Sequence, residues 1–413
     1  MSTLYNTQRG AQYDPVDAEL WTWDGQRLGK LGEFEEMRFT FNEREADTAE
    51  LELPLNDLTA TLLPCDGLVL IGMRINGVSH VSVPVRAEAT SRDGQPMLSV
   101  TAAGGWALLD GEVVSPSLSS DVTISAKEEF ELSGALEYVV KEAVRVGSVS
   151  AGHPVVILPN LGRGPYVQFT GAWESPAEVI KQVIAHTNYR VRVQGWLPGD
   201  PQPTPDVNLT KPCVVIDVVP YRDLGLRWSE AAGDVSEWRG TRKRPSTTRL
   251  VVGNDVQNGE FLAASRFKRV VGVETESPWN RREAYLKADT KAATREGFLD
   301  VIVEEYLMDA AASVELSRSG AHVEIEATVD ASSVWEFGTD DKRPLQYDVG
   351  DLAVIDLPVI GEVEQVVTAV EVKITPSEFA VIPTVGTPDT LDTSIYGTAA
   401  DTARRVARIE RRS

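Results

Sequence analysis

Apolar residues alternate with polar ones through several short stretches near the start of the 413-residue chain. In EMRFTFN, residues 36–42, Met37, Phe39 and Phe41 alternate with polar neighbours, and TAELELP in residues 48–54 repeats the pattern. A period of two sends successive side chains to opposite faces of a strand. The pattern therefore predicts half-buried β-strands and does not fit amphipathic helices.

Turn signals separate these strands. Asn76-Gly77 joins LVLIGMRI to VSHVSVPV, and Asn-Gly is a strong signal for a two-residue hairpin turn. Asp24-Gly25 and Asp93-Gly94 supply two similar turns. Pro84 lies in the second arm, which predicts an edge or bulged strand. Six or so strands without helices predict a small antiparallel barrel or sandwich, and we expect residues 1–112 to be an N-terminal β-barrel domain.

Helical periodicity appears after Trp106 and defines a second section, residues 113–235. LSGALEYVVKEAVRVG places apolar residues at helical spacing from Leu132 to Ala143. In ESPAEVIKQVIAHTN, Ser175 and Glu178 form a capping-box signature for a second helix. YRVRVQG and CVVIDVVPY read as strands on either side of a proline-rich loop. We predict a mixed α/β domain here.

Strand patterns return in residues 236–386. STTRLVVGND, AHVEIEATV, DLAVIDLP and EVEQVVTAVEVKI predict a second β-barrel. FLDVIVEEYLMDAA predicts a helical insertion at about residues 283–314. The predicted fold is thus mainly β with an α/β insertion, in which two small antiparallel β-barrel domains are joined by a mixed α/β domain. Residues 387–413 are predicted to be a linker and a short basic amphipathic helix.

The formal net charge of −22 argues against a general nucleic-acid-binding protein, since an acidic chain repels phosphates. No stretch reaches the ~18 uninterrupted apolar residues of a membrane span, and the N-terminus lacks the apolar core of a signal peptide. We therefore expect neither a membrane span nor a leader. Cys65 and Cys213 show no disulfide or metal-knuckle spacing.

Two basic segments are candidate subunit interfaces. The first is the basic run from Arg239 to Arg249, which on an acidic chain would pair with acidic surface of a neighbouring subunit. A solvated loop is an equal alternative, and a DNA contact is a weaker one. The second lies on the C-terminal helix, whose apolar residues have coiled-coil spacing. The candidate residues are Arg239, Arg242, Lys243, Arg244, Arg249, Arg404, Arg405, Val406, Arg408 and Ile409.

Known catalytic signatures are missing from the sequence. It has no HExxH pair, GxSxG elbow, Walker A loop or GxGxxG, and no pair of carboxylates stands out among 62 acidic residues. Residues 254–260, NDVQNGE, offer oxygen ligands for Ca²⁺, but a polar hairpin loop is the simpler interpretation. We expect no enzyme, no cofactor and no metal. Nine tryptophans leave open the stacking of an exposed subset on cell-envelope sugars.

The order of several segments resembles the baseplate-hub, or tail-tip, protein family (Gp37-like) of long-tailed actinobacterial phages. Such proteins have a polar turn at the end of a strand, here Arg222-Asp223, and later a Y-x-x-G-D turn, here Tyr347, Gly350 and Asp351. Between them comes a T-x-L/V-V-G-G strand, in which Asn254 replaces the second glycine. The stretches AAGGWALLDGEVVSP and VVTAVEVKITPSEFAVIPTVG also match, and the resemblance covers about residues 15–390.

The resemblance implies a structural role. Hub proteins of this kind carry two similar β-barrel domains per chain, and three chains form a ring that adapts a hexameric tail tube to a threefold tip. Such a ring stops the tube and rearranges to release DNA. The implied partners are two further copies, the distal tail and tail-tube proteins, and other tip or tape-measure proteins, with DNA passing through the lumen unbound. The implied location is the virion tail tip, and binding of a host glycan is the alternative function.

Overall fold

The computed structural model describes most of the chain up to Asn254 and shorter stretches beyond it: residues 17–92, 94–115, 129–185, 187–243, 247–254, 267–271, 279, 281–288, 294–295, 298–299, 308–309, 312, 322–329, 335–339, 345–358 and 360–386. The described residues up to Arg239 and from Glu326 onward form one compact unit. Those between Gly240 and Ile325 form a second unit. The domain limits at residues 112, 235 and 386 stay predictions.

The first β section consists of strands whose alternation matches the sequence pattern. Its strands are β1 (Asp17–Thr22), β2 (Arg27–Lys30), β3 (Glu36–Asn42), β4 (Thr48–Pro54), β5 (Val69–Ile75), β6 (Val78–Arg92) and β7 (Gln95–Ala103). Met37, Phe39 and Phe41 of β3 are buried, as period two requires. Asn76 and Gly77 both have positive φ, 43° and 81°, which confirms the predicted tight turn. The register of β6 against β7 shifts after Pro84, which confirms the predicted bulge.

The α/β section packs helices against strands. Its elements are α1 (Ala107–Asp110), β8 (Phe130–Ala135), α2 (Leu136–Val144), β9 (Val155–Ile157), β10 (Tyr166–Gly171), α3 (Pro176–Ile184), β11 (Tyr189–Trp196) and β12 (Cys213–Pro220). The predicted capping box of Ser175 and Glu178 is confirmed at the start of α3. Leu132 was placed on a helix by its spacing, but it lies on β8. Apolar side chains of α2, α3 and the strands form one buried core.

The remaining strands come after Pro220. They are β13 (Arg222–Ser229), β14 (Val235–Lys243), β15 (Arg249–Asn254), β16 (Phe267–Val271), β17 (Glu283–Ala288), β18 (Thr294–Arg295), β19 (Phe298–Leu299), β20 (His322–Val329), β21 (Glu336–Phe337), β22 (Gln346–Tyr347), β23 (Asp351–Leu357), β24 (Gly361–Ile374) and β25 (Phe379–Gly386).

The second unit is built around β15, which pairs antiparallel with β16 and parallel with β17. Leu250 and Val252 of β15 form a small buried cluster with Met308 and Ala312. The predicted helical insertion at about 283–314 is corrected in its first part, because residues 283–288 form β17. Phe298, placed on the predicted helix, lies on β19. Residues 283–288 are in an extended conformation because they pair with a parallel partner strand. Helical periodicity in the sequence cannot reveal such a partner.

Strand β24 links the first β section to the second. Its first half, Gly361–Val366, pairs with β23, and its second half, Ala369–Ile374, pairs with β3. A register shift against β25 lies between these halves, after Val367. Such a bulge bends a strand and strengthens its twist. One strand therefore belongs to the sheets of both β sections.

The mainly β class with an α/β insertion is confirmed, but within the described residues the strands close no barrel. Sixteen of them form an open sheet with the order β14-β20-β25-β24-β3-β4-β7-β6-β11-β12-β9, with β1, β2, β5, β13 and β23 attached at its sides, and the others form four small sheets. The prediction of two closed barrels is thereby corrected. Alternation of apolar residues identifies the buried face of a strand, but it carries no information about which strand lies beside it.

Candidate functional site

A tight turn before β23 carries the Tyr-x-x-Gly-Asp motif. The Asp351 N–H donates to the Asp348 carbonyl at 3.1 Å, and the Asp348 N–H donates to Oδ2 of Asp351 at 2.7 Å. Gly350 has φ of +82°, a region that glycine enters without steric cost. Its N–H donates to the Val367 carbonyl of β24 at 2.7 Å. The motif thus fixes the start of β23 against β24.

Arg222 of β13 forms a two-point ion pair with Asp351 at the end of this turn. Nε of Arg222 lies 2.8 Å from Oδ1 of Asp351, and Nη2 lies 2.6 Å from Oδ2. The Asp351 side chain is fully buried, whereas 45% of the Arg222 side chain is exposed. The hydrogen bonds to Asp351 raise the pKa of Arg222. Because β13 and β23 are parallel with Arg222 opposite Asp351, the pair sets their register.

Arg190 of β11 brings the α/β section to the same turn. Its Nη2 lies 3.6 Å from Oδ2 of Asp348 and 3.8 Å from Oδ1 of Asp351. The arginine packs so closely on the turn that a Cβ at Gly350 would lie 2.3 Å from its Cδ. Glycine is therefore required at position 350 both by the backbone and by Arg190.

The turn between β3 and β4 contributes a third group of charges. Nε of Arg44 lies 2.8 Å from Oε2 of Glu43, and Nη2 donates to the Tyr221 hydroxyl at 2.8 Å. That hydroxyl donates to Oε1 of Glu43 at 2.9 Å. Burial, with the nearby Glu43 charge, raises the pKa of Tyr221 to about 12. Tyr221 adjoins Arg222, so the first β section also reaches the motif.

We call this set of groups the charged junction, defined by Glu43, Arg190, Arg222, Asp348 and Asp351. Aromatic rings lie beneath it. Tyr347 contacts Trp228 edge to face, with ring centroids 5.5 Å apart. Both rings are almost fully buried. The family motif therefore unites charged and apolar contacts at the meeting point of three chain sections.

A buried carboxylate and imidazole lie beside the junction. Burial raises the pKa of Asp47 to about 7 and lowers the pKa of His80 to about 3. The Asn42 N–H donates to Oδ1 of Asp47 at 2.8 Å, and Nδ1 of His80 lies 4.0 Å from Oδ2. His80 is held between the edges of Phe39 and Phe41. Both groups are therefore neutral in slightly acidic solution.

A second ionic cluster lies inside the α/β section. Nζ of Lys141 is 2.6 Å from Oε1 of Glu137 and 2.9 Å from Oδ1 of Asp217, and Arg163 bonds to the same two oxygens. The N–H groups of Leu161 and Arg163 donate to the other oxygen of Glu137. Although burial opposes it, these bonds lower the pKa of Glu137 to about 2. The cluster anchors the loop before β10 to α2.

The predicted interface residues are only partly within the described structure. Arg239 is exposed on β14, and Arg249 is half-buried on β15. The backbones of Arg242 and Lys243 continue β14, but their side chains lie outside the described residues. The remaining candidates lie entirely outside the described residues: Arg244, Arg404, Arg405, Val406, Arg408 and Ile409. Their interface role stays a prediction.

Tryptophans divide between core and surface. Trp106 and Trp228 are buried, whereas Trp23 is 56% and Trp279 is 91% exposed. The loop proposed for Ca²⁺ lies outside the described residues after Asn254. In the described part of the chain, no three His, Cys, Asp or Glu side chains are grouped to hold a metal. The described helices include none long and apolar enough to cross a membrane.

Sequence reasoning singled out Arg222, Gly350 and Asp351, and the structure brings them together. It missed Arg190, Arg192, Asp47 and Asp348. One signal was available: two arginines alternate with valines in YRVRVQG, which places both charges on one face of a strand next to a buried core. Their partners lie far away in sequence, so the pairing itself carried no local signal.

The chain is similar in structure to several phage tail proteins. A 43 kDa tail protein of prophage MuSo2 from Shewanella oneidensis has a TM-score of 0.50 and 12% identity, over 91% of this chain and 99% of that chain. A tail protein from Neisseria meningitidis MC58 has a TM-score of 0.48 and 9% identity, covering 90% and 97%. Prophage tail protein gp18 from Listeria monocytogenes EGD-e has a TM-score of 0.47 and 12% identity, covering 94% and 99%. No curated protein matches the sequence.

The fold is thus that of the Shewanella tail protein. Residues 17–387 match the model of the Siphovirus ReqiPepy6 Gp37-like protein family. The chain belongs to this family of siphovirus tail proteins. The expected resemblance is confirmed, and the matched range includes every residue of the charged junction.

Proposed function

We propose that the chain is the structural baseplate hub, or tail-tip protein, of a siphovirus. In this proposal three copies form a ring that adapts the hexameric tail tube to the threefold tip and takes part in DNA release during infection. The distal tail and tail-tube proteins would contact the ring, as would other tip or tape-measure proteins. The observation that carries the proposal is the presence of two β sections in one chain, joined by β24.

Two β sections per chain give six in a trimer, which is the number needed to face a hexameric tube. A closed ring of head-to-tail contacts also gives an assembly of limited size. The charged junction supports this role, because it fixes β23 against β11 and β13 within each chain. The net charge of −22 per chain would let DNA pass a ring lumen without sticking, provided acidic residues line it.

The oligomeric state tests this proposal. Native mass spectrometry of the purified chain should show a trimer, and immunogold labelling of virions should place the protein at the tail tip. A monomer both in solution and in dissociated tips would contradict the ring. Labelling along the tail shaft would contradict the location. A basic lumen in a trimer structure would contradict the proposed passage of DNA.

A second candidate function is binding of a host cell-envelope glycan. It is favoured by the exposure of Trp23, whose ring lies beneath Nζ of Lys211 at 5.3 Å from the centroid. An exposed aromatic face beside polar groups is suited to stacking on sugars. Binding on an array of cell-envelope glycans, lost on Trp23→Ala, would support this function. Equal binding by both proteins would exclude Trp23 as the site.

A further inference from the structure

A small cavity opens beside the charged junction. It has a volume of about 40 Å³ and lies among the end of β3, the start of β6, strand β11 and the Asp348 turn. This is more than the roughly 10–15 Å³ that one water molecule needs. Its charged lining residues are Glu43, Asp47, Arg190, Arg192 and Asp348.

Most charges around the cavity have partners of opposite sign. Glu43 is paired with Arg44, and Asp348 lies 3.6 Å from Arg190. Behind the lining, Asp351 is paired with Arg222 and Asp217 with Lys141. These pairs cancel. Among the described residues they leave Arg192 and Asp47 as the lining groups without an oppositely charged partner, and the neutral imidazole of His80 lies 4.0 Å from Asp47.

Arg192 is the unsatisfied cation of this set. The described residues offer its guanidinium no hydrogen bond and no ion pair, although the side chain is half-buried. Burial lowers the pKa of Arg192, and the like charges of Arg190 and Arg222 work against the attraction of Asp348 and Asp217. Partial burial costs a cation part of its hydration, and a bound anion would offset that cost.

We propose that this cavity binds a carboxylate group, with the guanidinium of Arg192 as its principal partner. A planar guanidinium matches a carboxylate with two parallel hydrogen bonds. The Asp47 carboxyl lines the same cavity and in its protonated form can donate its O–H to the bound anion. The proposal concerns a ligand site and does not depend on a role in the tail.

The protonation of Asp47 makes this binding dependent on pH. Asp47 shares the cavity lining with Glu43 of the turn after β3, Arg190 and Arg192 of β11 and Asp348, and it lies beside His80 of β6. Because burial raises its pKa to about 7, Asp47 is neutral at pH 6 and ionised at pH 8. Protonation of Asp47 therefore leaves the cavity with one negative charge fewer at pH 6 than at pH 8. Carboxylates should bind more tightly at pH 6.

Thermal unfolding in sodium acetate and in sodium chloride of equal ionic strength tests the site. At pH 6, 100 mM acetate should raise Tm by about 2 °C over chloride, the size expected for a ligand present well above its Kd. An acetylated and amidated aspartate is the second probe. A response to both probes assigns the site to an acidic side chain of another protein chain, and a response to acetate alone assigns it to a free small carboxylate.

Three variants make the test specific. Arg192→Gln should abolish the acetate response, whereas Arg227→Gln, which removes an exposed arginine of β13, should keep it. Asp47→Asn should keep the response at pH 8, where the unmodified protein loses it. The proposal is overturned if acetate and chloride give equal Tm values at pH 6. It is also overturned if Arg192→Gln responds like the unmodified protein, or if Asp47→Asn and the unmodified protein respond equally at pH 8.

Discussion

Arg222 and Asp351 are 129 residues apart in sequence, yet they face each other across two parallel strands and share two hydrogen bonds of 2.8 and 2.6 Å. The carboxylate is fully buried and the guanidinium is partly exposed. The buried carboxylate therefore depends on the ion pair more than the partly exposed guanidinium does, because the carboxylate has no access to water when its partner is lost.

Replacing Arg222 by Gln should therefore destabilise the protein by about 1–3 kcal/mol, because Asp351 loses its two-point partner and keeps only the Asp348 N–H and the more distant Arg190. The midpoint of urea-induced unfolding measures the loss. Arg227→Gln is the matched control on the same strand, because its pair with Glu362 is exposed on both sides. That control should cost less than about 1 kcal/mol. Equal losses would show that Asp351 does not depend on Arg222.

Gly350 should be far more sensitive to alanine than another glycine of similar backbone. Gly350 and Gly361 have φ of +82° and +85°, so both replacements carry the same conformational cost of about 1 kcal/mol. A Cβ at Gly361 meets nothing within 4 Å, whereas at Gly350 it overlaps Arg190. Gly350→Ala should lower the unfolding midpoint well beyond Gly361→Ala. Similar midpoints would mean that Arg190 moves away freely.

Asp47 and His80 should have opposite effects on the pH dependence of stability. Between pH 4 and 6.5 the folded pair holds its single proton on Asp47, and the unfolded pair holds one on His80. Folding then neither takes up nor releases a net proton at this pair, so the pair adds no slope to the dependence of unfolding free energy on pH. Asp47→Asn leaves His80, which is protonated only when unfolded. Stability should then rise with pH by about 1.4 kcal/mol per unit up to pH 6.5.

His80→Phe should give the reverse slope. With only Asp47 left, the folded state binds a proton that the unfolded state releases above pH 3.8, and stability falls as pH rises towards 7. Unfolding free energies measured at several pH values for both variants check the signs. The other titratable groups contribute equally to the pH dependence of all three proteins. The difference in slope between the two variants is therefore the quantity to compare. Parallel curves would contradict the assignment of neutral Asp47 and His80.

Lys141 should be essential to the ionic cluster of the α/β section. Lys141→Met removes one of two cations that compensate Glu137 and Asp217, both largely buried. We expect a loss of about 3–5 kcal/mol in unfolding free energy. Arg145→Gln, one turn further along the chain, breaks an exposed pair with Glu142 and should cost less than about 1 kcal/mol. Comparable losses of unfolding free energy in the two variants would contradict the expectation that a buried ion pair contributes more to stability here than an exposed one.

Local signals in the sequence predicted local structure well. The Asn76-Gly77 turn, the bulge at Pro84 and the cap at Ser175 each depend on a few adjacent residues, and each is confirmed. Leu132 and residues 283–288 were misassigned because strand partners outside the segment decided their conformation. Sequence patterns define the faces of an element, whereas neighbours in space are set by tertiary contacts.

The charged junction was predictable only in part for the same reason. Gly350 and Asp351 belong to a compact motif that can be recognised within five residues. Arg190 and Asp348 come close only in the folded chain, and the sequence around either residue gives no indication of the other. Asp47 was indistinguishable from the many other acidic residues until its burial was known.

The course of β24 has a mechanical consequence. Tension applied between the two β sections would run along the covalent backbone of a single strand of 14 residues, while its neighbours β3, β23 and β25 resist sliding in shear. Hydrogen bonds loaded in shear must break together, whereas bonds peeled from one end break one by one. A pull along β24 would thus load the hydrogen bonds on both of its sides together.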